Sequence, residues 1–320
     1  MSTPSPALWP GPPIIGRSRS RRLWASSRPS SSLPRCAHRN GREAPRRSVR
    51  AIGHDDGVND DTYLEDTTSR PVGAGRRVLT LTDRWNTPLG KPNGGYLLAA
   101  MLRGVADEVP EAGDPLVAEI SYLRSPAVGE AELDTEVLRS GRRVQTATAR
   151  LDQEGAQVAQ AVVNFGVHGD GARREDFAEA PILPEPDSCL DPIAEGMPPD
   201  GIFGQVEYRL PTAPGWATGA PSGDPTVTLW QRLRGGREID FPALALLCDS
   251  FAPAVMEIGE NGSMTVQLTV HLRRLPAPGW IATRLFTRHV SGGYHEEDCE
   301  LWDSDGNLVA QSRQLAILLG

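Results

Sequence analysis

One carboxylate stands out as a residue that could do chemistry. Asp249 lies in Phe241-Pro242-Ala243-Leu244-Ala245-Leu246-Leu247-Cys248-Asp249-Ser250-Phe251, which is otherwise small and apolar on almost every face. A helix apolar all round is a buried helix, and a buried carboxylate is costly unless something hydrogen-bonds it or uses it. It is either a structural group, capping or pairing within the fold, or a base able to take a proton from water. A second stretch, Lys91-Pro92-Asn93-Gly94-Gly95-Tyr96, opens another apolar run. Asn93 is a natural helix cap, and two glycines let a ligand or another backbone approach the helix N-terminus. Lys91 is the chain's single lysine. It is either an ordinary exposed cation or a partner for a phosphate. His295-Glu296-Glu297 has metal-ligand residue types but lacks the helical His-Glu-x-x-His spacing, so it is expected at the solvated edge of the hairpin marked by Gly292-Gly293. His271, alternating with Thr269 and Gln267 on one strand face, reads as a surface histidine. There is no Gly-x-Ser-x-Gly elbow, which argues against an α/β-hydrolase. Cys36, Cys189, Cys248 and Cys299 show neither a disulfide framework nor a zinc pattern, and no cofactor is implied.

The elements that must position these groups come in two copies. In the second half the helix Phe241–Phe251 precedes four strand-like runs, Ser263–Leu275, Trp280–Val290, Tyr294–Trp302 and Leu308–Leu318. In the first half a strand over Arg76–Trp85 and a helix over Tyr96–Val105 precede strands at Leu116–Leu123, Glu130–Arg139, Arg143–Leu151 and Gln157–Phe165. Pro126-Ala127-Val128-Gly129 is echoed by Pro276-Ala277-Pro278-Gly279, and Val158-Ala159-Gln160 by Val309-Ala310-Gln311, an offset of about 150 residues. The chain is therefore read as a tandem duplication of a helix followed by an antiparallel meander. Ile202–Leu210 and Thr226–Leu233 read as leading strands of the second copy.

Composition bounds the rest. Residues 1–50 hold eleven arginines and one acid, so a net charge of -8 leaves the remainder near -18 (-8 minus 10). A body that acidic is a poor nucleic-acid binder. No apolar run is long enough to span a bilayer. The Arg-, Ser- and Pro-rich start has three readings: an upstream extension from an early start site, an organelle transit peptide, or a basic arm. The expected organisation is a disordered extension over 1–66, a first domain over 67–168, a linker over 169–200 and a second domain over 201–320. The expected location is cytoplasmic.

In Lys91–Tyr96, Leu244–Phe251, Gly292–Asp298 and Leu308–Gln314, taken in order along a duplicated chain, the sequence resembles the acyl-CoA thioesterases with a double hotdog fold. The resemblance covers about residues 70–320. It implies an α+β architecture of two hotdog units, an acyl chain lying beside the central helices, an acyl-CoA substrate and homo-oligomers. It also implies an Asp on the second central helix, a Thr or Ser on the next strand and a Gln on the last, which fall on Asp249, Thr265 and Gln314. Thr269 and Gln311 are the alternatives in another register. A hydrolytic role would use Asp249 on water, Thr265 and Gln314 to hold it, and N–H groups near Gly94, Gly95 and Tyr96 for the oxyanion. The rival readings are a non-hydrolytic acyl-thioester binder and an acidic interaction scaffold. A dehydratase-type hotdog would need a histidine near a central helix, and neither Tyr96–Val105 nor Phe241–Ile258 has one.

Overall fold

A computed structural model describes residues 61–167 and 177–319; the readings of residues 1–60 lie outside them. The first half begins with a short helix α1 (Thr62–Thr67), a hairpin of β1 (Arg70–Gly73) and β2 (Arg76–Leu81), and the long helix α2 (Gly94–Glu108). Strands β3 (Asp114–Tyr122), β4 (Gly129–Ser140), β5 (Val144–Gln153) and β6 (Ala156–Gly166) follow. The second half has α3 (Ile202–Gln205), β7 (Val206–Arg209), β8 (Thr226–Leu233) and helix α4 (Phe241–Leu247). It closes with β9 (Ser263–Leu272), β10 (Ile281–Phe286), β11 (Val290–Ser291), β12 (Tyr294–Trp302) and β13 (Leu308–Leu318).

The strands form one antiparallel sheet in the order β1-β2-β4-β5-β6-β3-β9-β13-β12-β10-β8-β7, with β11 on β12. Read outward from the β3–β9 seam, the two halves repeat each other: β3, β6, β5, β4, β2 on one side and β9, β13, β12, β10, β8 on the other. In each half the helix follows the leading strand and precedes the seam strand along the chain. At the seam Ile120 faces Leu268 and Ala118 faces Val270, and all four are buried. Helix α2 packs on β3 to β6, α4 packs on β8, β9 and β13, and the two helices touch. This is a double hotdog, with the apolar faces of both helices and the inner sheet face merged in one core.

Several elements differ from the sequence reading. Helix α1 lies where disorder was expected to run to residue 66. Asp61 caps it, Tyr63 Oη donates to Asp240, and buried Asp66 accepts from Trp85 Nε1 at 2.8 Å. These tertiary bonds stabilise six residues that lack apolar periodicity. Strand β2 stops at Leu81 and a 3₁₀ turn carries Asp83–Trp85. Residues Ile202–Gln205 are helical ahead of a four-residue β7, and β10 ends at Phe286. Within the segment read as linker, Pro186–Ser188 forms a 3₁₀ turn and Leu190 bridges to Leu210.

The largest correction concerns the second helix, which ends at Leu247 rather than running to Phe251. The i→i−4 ladder ends with Cys248 N–H on the Leu244 carbonyl: Asp249 N–H bonds the Leu246 carbonyl at 3.0 Å instead, and the Leu247 carbonyl accepts from Gln231 Nε2 at 3.0 Å and Ser250 Oγ at 3.3 Å. Pro253 has no N–H to offer the Asp249 carbonyl, which accepts instead from Asn93 Nδ2 at 2.7 Å. Asp249 therefore sits in the turn just past α4.

Candidate functional site

The turn carrying Asp249 is held from three directions. Asn93, the cap of α2, grips the Asp249 carbonyl. Tyr208 Oη on β7 donates to the Ser250 carbonyl at 2.8 Å, and Ser250 Oγ donates to Gln231 Oε1 on β8 at 2.6 Å. The carboxylate then accepts from Gly95 N–H at 2.9 Å through Oδ2. One turn thus joins the end of α4 to the start of α2, and only glycine fits the contact. A Cβ on Gly95 would lie 2.6 Å from the Leu246 carbonyl oxygen. Burial pushes the Asp249 carboxyl up to about 7, against the pull of the Gly95 N–H.

Asp249 borders a cavity of about 520 Å³. Thr265, Gln314 and Glu297 share that cavity, with Leu89, Leu97, Leu123, Phe251, Met264 and Ile317 supplying much of its apolar wall. Thr265 Oγ1 donates to Gln314 Oε1 at 2.6 Å, and Gln314 Nε2 donates to Glu297 Oε1 at 2.8 Å. Glu297 and Gln314 are direct cross-strand partners on β12 and β13.

Thr265 reaches this face because of a bulge. Gln267 pairs with Leu315 and Thr265 with Ala316, so Val266 is one extra residue in β9. Strict alternation from Leu268 and Val270, which point inward, would turn Thr265 outward with Gln267 and Thr269. The bulge restores it to the inner face, opposite buried Ala316. Thr269 stays with Glu119 and Arg313 and bonds Gln267. Gln311 pairs with His271 and Glu300. Neither Thr269 nor Gln311 lines the cavity.

The backbone donors divide differently from the sequence expectation. Gly95 N–H is taken by Asp249 and Tyr96 N–H by the Asn93 cap at 3.0 Å. The Tyr96 ring stacks on Trp85, and its hydroxyl donates to the Asp66 carbonyl, away from the cavity. Gly94 alone of the three lines the cavity. Its N–H, at the first helical position, has no acceptor among the hydrogen bonds of the described residues.

Two residues that line the cavity escaped the sequence reading. Glu297 was expected at a solvated hairpin edge, yet His295 and Glu297 are 2% and 4% exposed. Strand β12 lies between β10 and β13, so His295, Glu297, Cys299 and Leu301 alternate inward. The period-two placement of Glu297 with Cys299 and Leu301 was the available signal. Burial raises the Glu297 carboxyl to about 7, with the Asp249 charge adding to the effect. Tyr122, the last residue of β3, lines the cavity, and its buried hydroxyl has no partner. A Cβ on Gly94 would lie 2.9 Å from that hydroxyl and 2.7 Å from Asp249 Oδ2, so the three groups converge. Burial and the nearby Asp249 push the phenol well above its usual range, keeping its proton in place. No sequence motif marks Tyr122.

His271 is exposed, and Lys91 lies with Arg124 on the exposed part of the cavity lining. Among the described residues no group of three or more His, Cys, Asp or Glu could hold a metal, and no helix is long and apolar enough to cross a membrane.

Family models described as the acyl-CoA thioesterase N-terminal domain and C-terminal domain match residues 81–166 and 179–318. An uncharacterised protein of Mycobacterium tuberculosis is 31% identical over 269 residues, covering 74% of this chain and 89% of its own. The thioesterase-like protein TwmA of Talaromyces wortmannii is 24% identical, over 71% of this chain and 84% of its own. Among solved structures, a candidate thioesterase II of Thermobifida fusca superposes with a TM-score of 0.71 at 29% identity, over 81% of this chain and 97% of that one. A hotdog-fold protein of Alicyclobacillus acidocaldarius gives 0.73 at 22% identity, over 81% and 98%. With both halves matched in order around one shared cavity, the chain belongs to the acyl-CoA thioesterase family of paired hotdog domains.

Proposed function

We propose that the protein hydrolyses an acyl-CoA thioester to the free acid and CoA, using water activated at Asp249 and no covalent intermediate. The observation that carries this reading is the cavity that joins Asp249 to the Thr265–Gln314 pair on a wall otherwise largely apolar. Its volume of about 520 Å³ suits an acyl group of moderate size.

The chemistry follows from the donors and acceptors. Thr265 spends its only hydrogen on Gln314, so its oxygen accepts toward the cavity. A water that gives one hydrogen to Asp249 and the other to Thr265 is left with a lone pair for the thioester carbon. Attack passes the water's proton to Asp249, and collapse of the tetrahedral intermediate expels CoA thiolate, which takes that proton. A carboxyl raised to about 7 suits both transfers near neutral pH. The unpartnered Tyr122 hydroxyl and the Gly94 N–H would receive the developing oxyanion. Lys91 and Arg124 suit the phosphates of CoA.

The test is thiol release from a panel of acyl-CoAs, short to long, by the full chain beside Asp249→Asn. Release that depends on chain length and collapses in the variant supports hydrolysis. A folded protein that retains acyl-CoA without releasing thiol would leave only the binding reading. Within an active protein, Tyr122→Phe is expected to lower kcat by about 100- to 1,000-fold, the usual cost of one oxyanion donor. Unaltered kcat in that variant would remove Tyr122 from the mechanism.

A further inference from the structure

The mechanism above gives Glu297 no task, yet both its carboxylate oxygens are engaged beside the reacting groups. Oε1 accepts from Gln314 Nε2, and Oε2 accepts from Ala254 N–H. We propose that Glu297 is a positioning residue. By accepting from the Gln314 amide, it fixes the direction of the Thr265→Gln314→Glu297 hydrogen-bond chain and makes Thr265 an acceptor toward the cavity.

The direction of the chain follows from what each group can offer. A glutamine amide presents a donor on one side and an acceptor on the other, and a half-turn exchanges them. A carboxylate has only lone pairs, so ionised Glu297 selects the Nε2 side of Gln314. Gln314 Oε1 must then face Thr265, whose hydroxyl hydrogen closes the bond at 2.6 Å. What Thr265 shows the cavity is its lone pairs, which hold a water by its hydrogen and leave the water oxygen free. The direct β12–β13 pairing of residues 297 and 314 makes the contact a product of strand register.

Protonation would reverse the chain. Oε2 is held by the Ala254 N–H, so the proton would sit on Oε1 and face Gln314. The amide would turn, its NH₂ would donate to Thr265, and the Thr265 hydrogen would point into the cavity. The groups facing Glu297 are Gln314 from β13, the Ala254 N–H from the turn after α4, and the Asp249 carboxylate. Asp298 and Cys299 follow it in β12, and His295 precedes it on the same strand face. Burial, with the Asp249 charge adding to it, pushes the Glu297 carboxyl up to about 7, which brings that proton into the neutral range.

The consequence for turnover rests on the hydrolytic reading; the direction of the chain does not. The first measurement therefore needs no substrate. In the full chain labelled with ¹⁵N-glutamine, the Gln314 side-chain NH₂ signals, assigned by their loss in Gln314→Leu, should shift between about pH 6 and 8 with a midpoint near 7. In Glu297→Gln that titration should be replaced by the weaker response to Asp249. Signals that do not titrate in the wild type, or that titrate identically in the variant, overturn the proposal. The second measurement is kinetic. Glu297→Gln should lose about 10- to 100-fold in kcat with KM within about twofold. Adding Gln314→Glu should recover most of that loss, because the amide at 297 then donates to a carboxylate at 314, which again accepts from Thr265. Undiminished kcat in Glu297→Gln, or no recovery in the pair, also overturns it. If the wild type releases thiol from no acyl-CoA, the hydrolytic reading fails while the NMR titration still decides the chain's direction.

Discussion

Asp249→Asn should abolish most turnover and, increasingly from about pH 4 to pH 7, make the protein more stable. The asparagine keeps the shape of the site, because its Oδ1 still accepts from Gly95 N–H, the bond made now at 2.9 Å. It loses the proposed base, and loss of a positioned proton acceptor costs about 100- to 10,000-fold. The stability effect follows from the raised carboxyl. In the unfolded chain Asp249 titrates near 3.8 and in the folded chain at about 7. Between those values the folded state holds a proton that the unfolded state has released. Wild-type stability therefore falls as pH rises through that window and levels off above it. The cost at pH 8 has a ceiling of about 4 kcal/mol, from roughly three pKa units at 1.36 kcal/mol each. The variant escapes it. Denaturant melts of the two proteins should nearly coincide at pH 4 and separate progressively to pH 7, with the variant higher. Glu297 would also titrate lower in the variant, since the Asp249 charge adds to its elevation. A variant less stable than wild type at pH 8 would mean that the charge is compensated in the fold, and the reading of Asp249 as a strained base would go with it.

How much of this was legible in the sequence depends on whether the determinant was local. The duplication was legible because turn chemistry repeats at a fixed offset. The strands β8, β12 and β13 begin and end where their patterns and turn residues say. Asp249 was legible because a carboxylate in an apolar run is anomalous by itself. The end of α4 was not, because the bonds that hold the turn after it come from distant residues, Gln231 on the Leu247 carbonyl and Asn93 on the Asp249 carbonyl. The choice of Thr265 over Thr269 was left open because a single bulged residue, Val266, reverses the face of every residue beyond it. Glu297 was misread for a related reason. A charged run beside a Gly-Gly turn looks like an edge, and only the sheet order shows β12 enclosed on both sides. Tyr122 carried no signal, since its proposed role depends on a buried hydroxyl left unpartnered near the Asp249 carboxylate. The site is thus built from local anomalies that a sequence can show and from sheet register that it cannot.

Alanine at the two adjacent glycines should separate the fold from the chemistry. Gly95→Ala puts a Cβ 2.6 Å from the Leu246 carbonyl oxygen and 3.1 Å from Leu246 Cα and Asp249 Cβ. Two of those are backbone atoms at the end of α4, so relief requires α2 and α4 to move apart. Overpacking of that kind costs about 1–3 kcal/mol, against a helix-propensity gain of about 1 kcal/mol. The displaced Asp249 would also lose alignment, and a shift of about 1 Å costs on the order of 100-fold in rate. Gly94→Ala meets different atoms: Asp249 Oδ2 at 2.7 Å and the Tyr122 hydroxyl at 2.9 Å. These are the far ends of side chains on a cavity wall, and they can yield without moving a helix. The expected pattern is loss of both stability and turnover in Gly95→Ala, and loss of turnover at nearly unchanged melting temperature in Gly94→Ala. Equal destabilisation by both would mean that the space beside Gly94 serves helix packing. Wild-type turnover in Gly94→Ala would mean that the substrate carbonyl does not occupy the space where Asp249, Tyr122 and the start of α2 converge.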